Sequence, residues 1–190
     1  VLSAVVLNNI IDSASAQTYS GTCGDNLTWT LDTGTGTLTI SGEGEMEDYS
    51  YSSPWYDYSS NIKTVELPDK LTSIGERAFY DCRNLTSITI PARVTSIGRN
   101  AFSYCSSLTS ITIPDNITDI GEGVFSYCAG MKYIYVDTDN TNYSSLDGVL
   151  FSKDGKVLIA YPPNKDFSYI IPDGVTSIAY KAFGGCSRLT

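Results

Sequence analysis

The sequence repeats itself with a period of 23 residues, a pattern that few architectures accommodate. Isoleucine, phenylalanine and cysteine each recur at this spacing, in three columns: Ile74, Ile97 and Ile120; Phe79, Phe102 and Phe125; and Cys82, Cys105 and Cys128. A unit of this length is too short to bury its own apolar side chains, so it must stack on similar units. The repeat therefore predicts a solenoid in which each unit forms one coil.

The repeat array covers residues 61–190 and contains one lengthened unit. The pattern returns near the end of the sequence, but Cys186 lies 58 residues after Cys128. Because 58 is not a multiple of 23, we expect an insertion at about residues 137–170. Residues 17–60 precede the array and contain two strand-like runs, so we expect them to form a β-rich cap.

Each unit contains two short extended segments and a turn. In one unit, Ile88 and Ile90 alternate with polar residues, as in a strand with one buried face. Pro91 ends this strand because it has no amide hydrogen. A second extended segment follows, and Ala101–Cys105 has the spacing of a single helical turn. We therefore expect a right-handed solenoid that is mainly β, with short helical turns.

These motifs resemble the BspA-like subfamily of leucine-rich repeats. The resemblance is carried by Val94–Gly98, Ala101–Cys105 and Leu108–Pro114, and it extends over about residues 62–190. In addition, Gly21–Asp32 is similar to the cap that often precedes such repeats, and the lengthened unit resembles an insertion found among them. The resemblance implies a leucine-rich-repeat solenoid with an N-terminal cap.

The same resemblance implies a role in adhesion. BspA-like proteins are bacterial or protist surface proteins, implicated in adhesion to host matrix proteins and to other microbes. We therefore expect a secreted or cell-surface binding module, monomeric, whose partner is a protein or glycan on host or neighbouring cells. The alternative is a structural spacer or targeting module of a larger exported protein. The family has no ligand-binding motif, so no site residue follows from the resemblance.

Both ends of the sequence carry expectations of their own. Residues 1–16 begin with an apolar run and end in Ala14-Ser15-Ala16, which signal peptidase accepts, so we interpret them as the remnant of a secretion signal. The alternative is a disordered or strand-like N-terminus. The apolar run is shorter than the roughly 20 residues that cross a bilayer, so we expect no transmembrane segment. The repeat stops mid-unit at Thr190, and we expect the native protein to continue.

The composition argues against the commonest enzyme designs and against nucleic-acid binding. The 190 residues contain no histidine, which excludes histidine-based triads and imidazole metal ligands. Aspartate and glutamate total 21 against 12 for lysine and arginine, and the resulting net charge of −9 repels a phosphate backbone. We therefore expect a protein that is not an enzyme, holds no cofactor or metal, and does not bind nucleic acid.

The five cysteines are expected to be free thiols. Four of them occupy one repeat column, and the fifth, Cys23, lies in the cap. Side chains in a column point the same way, so their sulfur atoms neither face one another, as a disulfide requires, nor surround a zinc ion. Packing as small hydrophobic side chains is therefore favoured over a disulfide or a metal site.

Three short motifs are better explained by turns than by chemistry. Asp32–Gly34 matches the short signature of aspartic proteases, but it occurs once and lies between two strand-like runs, as in a hairpin. Asp137–Asn142 has the alternating oxygens of a calcium loop but lacks the glycine and glutamate of an EF-hand, so we interpret it as a polar turn. Incidental calcium binding is the alternative there. The acidic residues between Glu43 and Asp48 are interpreted as a solvated surface.

Two surfaces are candidates for ligand binding. The first is a concave sheet of outward strand positions, and its candidate residues are Glu66, Thr89, Thr112, Tyr133 and Tyr135, with Thr64, Ser87 and Ser110 beside them. The two tyrosines are the strongest candidates because tyrosine is enriched at binding hot spots. The alternative is a ladder of hydroxyls that serves solubility. The second surface is an aromatic cap patch made of Tyr51, Trp55 and Tyr56, near Tyr49 and Tyr58. Its alternative role is to cover the first coil.

Overall fold

The coils expected from the repeat are present. The computed structural model describes residues 16–190, so the expected signal remnant lies outside the described residues except for Ala16. The described chain is mostly β-structure with almost no helix and forms a solenoid of about six turns. The predicted fold class is therefore confirmed.

Short strands make up nearly all the regular structure of residues 16–190. In chain order they are β1 (Thr18–Gly24), β2 (Leu27–Asp32), β3 (Thr37–Gly42), β4 (Gly44–Glu45), β5 (Thr64–Glu66), β6 (Leu71–Ile74), β7 (Ser96–Ile97), β8 (Ser110–Ile113), β9 (Asp119–Ile120), β10 (Tyr133–Val136), β11 (Tyr143–Leu146), β12 (Val149–Ser152), β13 (Val157–Ala160) and β14 (Ser177–Ile178). A 3-10 helix spans Tyr56–Asn61. Within these residues, no helix has the length and apolar character needed to cross a lipid bilayer.

The N-terminal strands β1, β2 and β3 form an antiparallel meander. Apolar and polar residues alternate along β2, which buries Leu27, Trp29 and Leu31. The turn between β2 and β3 is held by the Asp32 carboxylate, whose Oδ1 accepts a hydrogen bond from Gly34 N at 2.8 Å. The hairpin predicted at this motif is therefore confirmed, and Asp32 stabilises its turn.

The coils present two strand faces. On the first face, β3 pairs in parallel with β5, a bridge joins Thr64 to Ser87, and β8 pairs in parallel with β10. Between coils, Lys132 N donates to Thr109 O, one period earlier in the chain. On the second face, β4, β6, β7 and β9 form one parallel sheet. Each of these repeat pairings joins equivalent positions of neighbouring coils.

The third side of each coil consists of tight turns instead of the helical turn predicted at Ala101, Phe102 and Cys105. Amides there bond three residues back, as Cys105 N does to Phe102 O at 3.2 Å. Asn100 and Tyr104, however, have positive φ angles of 53° and 66°. A left-handed residue every few positions stops a helix from propagating. It also frees the Phe102 amide to donate at 3.0 Å to the next coil.

Columns of like side chains fill the centre of the solenoid. Aromatic rings stack from the cap inward, with centroids 6.0 Å apart for Trp55 and Phe79, 5.4 Å for Phe79 and Phe102, and 5.9 Å for Phe102 and Phe125. The cysteine column lies beside them, and all five cysteines are free. Cys128 Sγ donates to Phe102 O at 3.0 Å, so this thiol is both a packing group and a buried hydrogen-bond donor.

The lengthened unit folds as a small sheet that joins the array. Strands β11, β12 and β13 are antiparallel, and β13 pairs in parallel with β14 of the last coil. Their apolar side chains form a second, smaller core with the last coil: Val149, Phe151, Leu158, Tyr161 and Ala182. The insertion is therefore part of the stack and not a free loop.

A buried asparagine organises the loop that leads into β11. Asn140 lies within the predicted polar turn Asp137–Asn142 and is fully buried. Its Nδ2 donates to Pro114 O at 2.7 Å and to Ile117 O at 3.1 Å. Its Oδ1 accepts from the backbone amides of the second and third following residues at 2.9 and 2.8 Å. These contacts explain the loop as a hydrogen-bonded turn.

Candidate functional site

The first strand face carries a surface of small hydroxyl-bearing side chains. The sequence-predicted members are all solvent-accessible there: Thr64, Glu66, Ser87, Thr89, Thr112, Tyr133 and Tyr135 are exposed, and Ser110 is half-buried. Residues between them, such as Ile111 and Ile134, point into the core. The five candidate residues therefore share one face, distributed over four successive coils.

The cap extends this surface beyond the repeats. Cross-strand pairing places Thr30 opposite Thr39, and Thr39 opposite Glu66, so all three project from the same side of the sheet. Thr39 Oγ1 donates to Glu66 Oε2 at 2.9 Å. The sequence prediction did not include the cap threonines, although Thr28 and Thr30 alternate with buried residues along β2 and gave the signal. We call the combined surface of β2, β3, β5, β8 and β10 the hydroxyl face.

Tyr133 and Tyr135 form the large aromatic element of the hydroxyl face. They lie two residues apart on β10, with Ile134 buried between them, and their register places them beside Ser110 and Thr112 of β8. Their ring centroids are 5.7 Å apart with planes inclined by 17°. The side chains are 41% and 48% exposed, respectively. The pair thus offers a preorganised aromatic surface next to small polar side chains.

A buried lysine from the insertion lies against this pair. The Lys165 side chain is only 7% exposed, and its Nζ lies 2.9 Å from Asp147 Oδ2 and 3.4 Å from Asp166 Oδ2. Nζ also lies 5.5 Å from the centroid of the Tyr133 ring. We call Tyr133, Tyr135, Asp147, Lys165 and Asp166 the tyrosine site. Sequence reasoning missed its charged members because they come from loops that no repeat column aligns.

The charge of Lys165 is maintained by its two carboxylate neighbours. Burial acts to lower the pKa of Lys165, but the hydrogen bonds to Asp147 and Asp166 outweigh it and raise that pKa above its ordinary value. The ammonium therefore stays protonated over the whole neutral range. As a result, the tyrosine site contains a permanent cation shared by two carboxylates.

The aromatic cap patch does not exist as one surface. Trp55 is fully buried, and its Nε1 donates to Ala78 O at 2.8 Å, so this candidate residue belongs to the internal aromatic stack and is not exposed to solvent. Tyr49 is also buried, whereas Tyr51 is almost fully exposed. Tyr56 is half-buried with its ring near that of Tyr80. The alternative role, covering the first coil, fits the position of Trp55.

The cleft beside β4 and β6 includes none of the predicted site residues. An open cleft of about 600 Å³ lies beside β4 and β6, lined among others by Asn26, Glu43, Lys70 and Arg93. Lys70 Nζ and Glu43 Oε2 pair across it at 2.8 Å, both largely exposed. Within residues 16–190 no cluster of cysteine and acidic side chains is arranged to hold a metal ion. The hydroxyl face thus remains the principal candidate surface.

The comparisons with known proteins agree on one kind of repeat. A profile of the BspA type leucine-rich repeat region matches residues 51–153, just over half of the chain, in six copies. A leucine-rich repeat protein from Eubacterium ventriosum is 26% identical, with a TM-score of 0.54 over 89% of this chain and 57% of its own. The pneumococcal vaccine antigen PcpA is 20% identical, with a TM-score of 0.54 over 90% of this chain and 63% of its own, which shows a shared fold. This chain spans less than two thirds of either protein. No curated protein matches it.

Proposed function

This chain belongs to the BspA type leucine-rich repeat family, and we propose on that basis that it is a non-catalytic module that binds a protein through its hydroxyl face. The observation that carries the proposal is the exposed Tyr133 and Tyr135 pair at one end of that face. Tyrosine is enriched among the few residues that supply most of the binding free energy at protein interfaces. The surrounding threonines and serines offer hydroxyl groups that adapt to either donors or acceptors.

We propose further that the protein acts at the cell surface or after secretion, as a monomer, and adheres to host matrix proteins or to other cells. The apolar segment that ends in Ala14-Ser15-Ala16 supports export. The stack of successive coils supports contact with a large partner, because repeats of this kind bind along an extended face. A glycan on a matrix protein is a second ligand of the same face.

The test is surface plasmon resonance of the 190-residue chain over immobilised fibronectin, fibrinogen and mixed host glycans at physiological salt. We expect saturable binding that weakens at least tenfold in the double variant Tyr133→Ala/Tyr135→Ala. Tyr180→Ala is the matched control, since it removes an exposed tyrosine that follows β14, outside the strands of the hydroxyl face, and it should leave binding unchanged. Equal binding by the double variant and the native chain would place the site elsewhere.

A structural spacer is the second candidate function. It is favoured by the composition of most of the hydroxyl face, where threonine and serine provide solubility without any large anchoring side chain. If the native chain binds none of the immobilised surfaces and the double variant is equally inert, the spacer is the better description.

A further inference from the structure

The tyrosine site already holds a cation of the chain itself. Lys165 places its ammonium 5.5 Å from the Tyr133 ring centroid, between the carboxylates of Asp147 and Asp166. An aromatic face combined with carboxylates attracts ammonium and guanidinium groups in general. The contact between Lys165 and Tyr133 thus has the same chemistry as a contact between this surface and the ammonium or guanidinium group of a ligand.

Tyr135 offers a second position of the same kind. Its ring lies nearly parallel to that of Tyr133 and is 48% exposed, and among residues 16–190 no lysine or arginine lies over it. Asp147 and Asp166 remain 76% and 56% exposed despite their contact with Lys165. Their solvent-facing oxygens can therefore accept further hydrogen bonds.

The electrostatics of the site favour a positively charged partner. Two carboxylates share the single ammonium of Lys165, which leaves a local excess of negative charge. The whole chain carries a net charge of −9, which adds long-range attraction for cations and repulsion for anions. Both the local negative charge of the site and the net negative charge of the chain would repel an acidic peptide or a sialylated glycan.

We propose that the tyrosine site binds a basic segment of the partner protein, with an arginine or lysine side chain over Tyr135 and against the exposed oxygens of Asp147 and Asp166. This inference rests on the proposed function of the hydroxyl face as a protein-binding surface. It specifies the partner class as a protein surface rich in arginine or lysine.

The test is an NMR titration of the isotope-labelled chain with a short peptide of alternating arginine and glycine. A matched peptide of alternating glutamate and glycine is the control ligand. We expect saturable shifts of the β10 amides and of the turn between β11 and β12 with the arginine peptide alone. Raising the salt concentration to about 0.5 M should weaken this binding, because it screens exposed charges.

Single-residue variants separate the contribution of the Tyr135 ring to peptide binding from that of the carboxylates. Tyr135→Ala should weaken peptide binding by roughly fivefold, whereas Tyr135→Phe, which keeps the ring, should bind like the native chain. Asp166→Asn should weaken binding as well, and Tyr180→Ala should have no effect. If both peptides bind equally, or if Tyr135→Ala binds as well as the native chain, the proposal is wrong.

The outcome is distinguishable from failure of the proposed function. If a matrix protein binds in the resonance experiment and loses affinity in Tyr133→Ala/Tyr135→Ala, the hydroxyl face is a binding surface. If the arginine peptide then causes no shifts on β10, the specificity for a basic segment is overturned while the binding function stands. If the peptide binds at the tyrosine site and no matrix protein does, the cation site stands and the choice of adhesion ligands is wrong.

Discussion

At the scale of single residues, Gly148 determines how the ring of Tyr133 is held. Its φ angle is +76°, and a Cβ atom built there would lie 2.7 Å from Tyr133 Cδ1 and 3.2 Å from its Cα. Gly148 O also accepts a hydrogen bond from Ile134 N at 2.9 Å. The turn therefore contacts the tyrosine strand through its backbone, and the absence of a side chain permits that contact.

We predict that Gly148→Ala destabilises the protein more than Gly155→Ala does. Both glycines have similar φ angles, +76° and +71°, but a Cβ at Gly155 meets nothing within 4 Å. Gly155→Ala should therefore reduce the free energy of unfolding by about 1 kcal/mol, because alanine is strained in the left-handed backbone conformation. Gly148→Ala should reduce it by about 1 kcal/mol more, because the added Cβ also clashes with Tyr133. Urea unfolding of both variants measures the difference. Equal losses would show that Tyr133 moves aside without strain.

At the scale of elements, the insertion is attached to the preceding coil by the side chain of Asn140. This side chain makes four hydrogen bonds while buried, two to carbonyl oxygens of the coil that precedes β10 and two to amides at the start of β11. A buried polar group that loses its partners is costly. Asn140 is therefore one of the contacts that hold the hairpin beside β10, together with the hydrogen bond from Ile134 N to Gly148 O.

We expect Asn140→Ala to reduce the free energy of unfolding by about 2–4 kcal/mol, because it leaves buried carbonyl and amide groups without partners. Asn116→Ala is the matched control. The Asn116 side chain is exposed and donates one hydrogen bond, to Ala92 O at 2.6 Å, so its loss should cost less than about 1 kcal/mol. Thermal and urea unfolding measure both. Similar losses in the two variants would contradict the role given to Asn140.

The cysteine column makes stability sensitive to alkaline pH. Burial raises the pKa of Cys128 to about 12, and the pKa of Cys105 is raised well above its ordinary value for the same reason. In the unfolded chain these thiols ionise near pH 8.5, so above that pH the unfolded state binds fewer protons than the folded state. Stability should be unaffected below about pH 8 and should fall as the pH rises further. Urea midpoints between pH 7 and pH 9.5 test this, and Cys128→Ala should show a shallower decline.

At the scale of the whole molecule, the period itself is testable by deletion. Removing Leu85–Ser107 takes out one full period, and Leu108 then follows Asn84 in the position that Leu85 held. We expect this variant to keep the native circular dichroism spectrum and to unfold with a smaller m-value, because less surface is exposed on unfolding. Removing Leu85–Tyr104 instead shifts every column by three residues and should prevent cooperative folding. Equal behaviour of the two deletions would refute register as the basis of the stack.

The parts of the structure that could be predicted are those that the repeat constrains. The repeat pattern recurs in successive coils, and it predicts that Phe102 and Cys105 are buried and that Thr89 is exposed. The left-handed Tyr104 was not predicted, because its side chain gives no sign of a backbone state that usually favours glycine. The contact of Lys165 with Tyr133 was not predicted either, because the insertion occurs once and aligns with nothing else.

The stacking of equivalent positions across coils also bears on how such a chain changes over generations. Recombination that adds or removes 23 codons of the gene would keep the reading frame and would still place a phenylalanine beside Phe79, as Phe102 lies now. The hydroxyl face would lengthen or shorten in whole steps, while Tyr133 and Tyr135 would keep their place next to the insertion. Relatives that differ in coil number could therefore present the same aromatic pair at different distances from the cap.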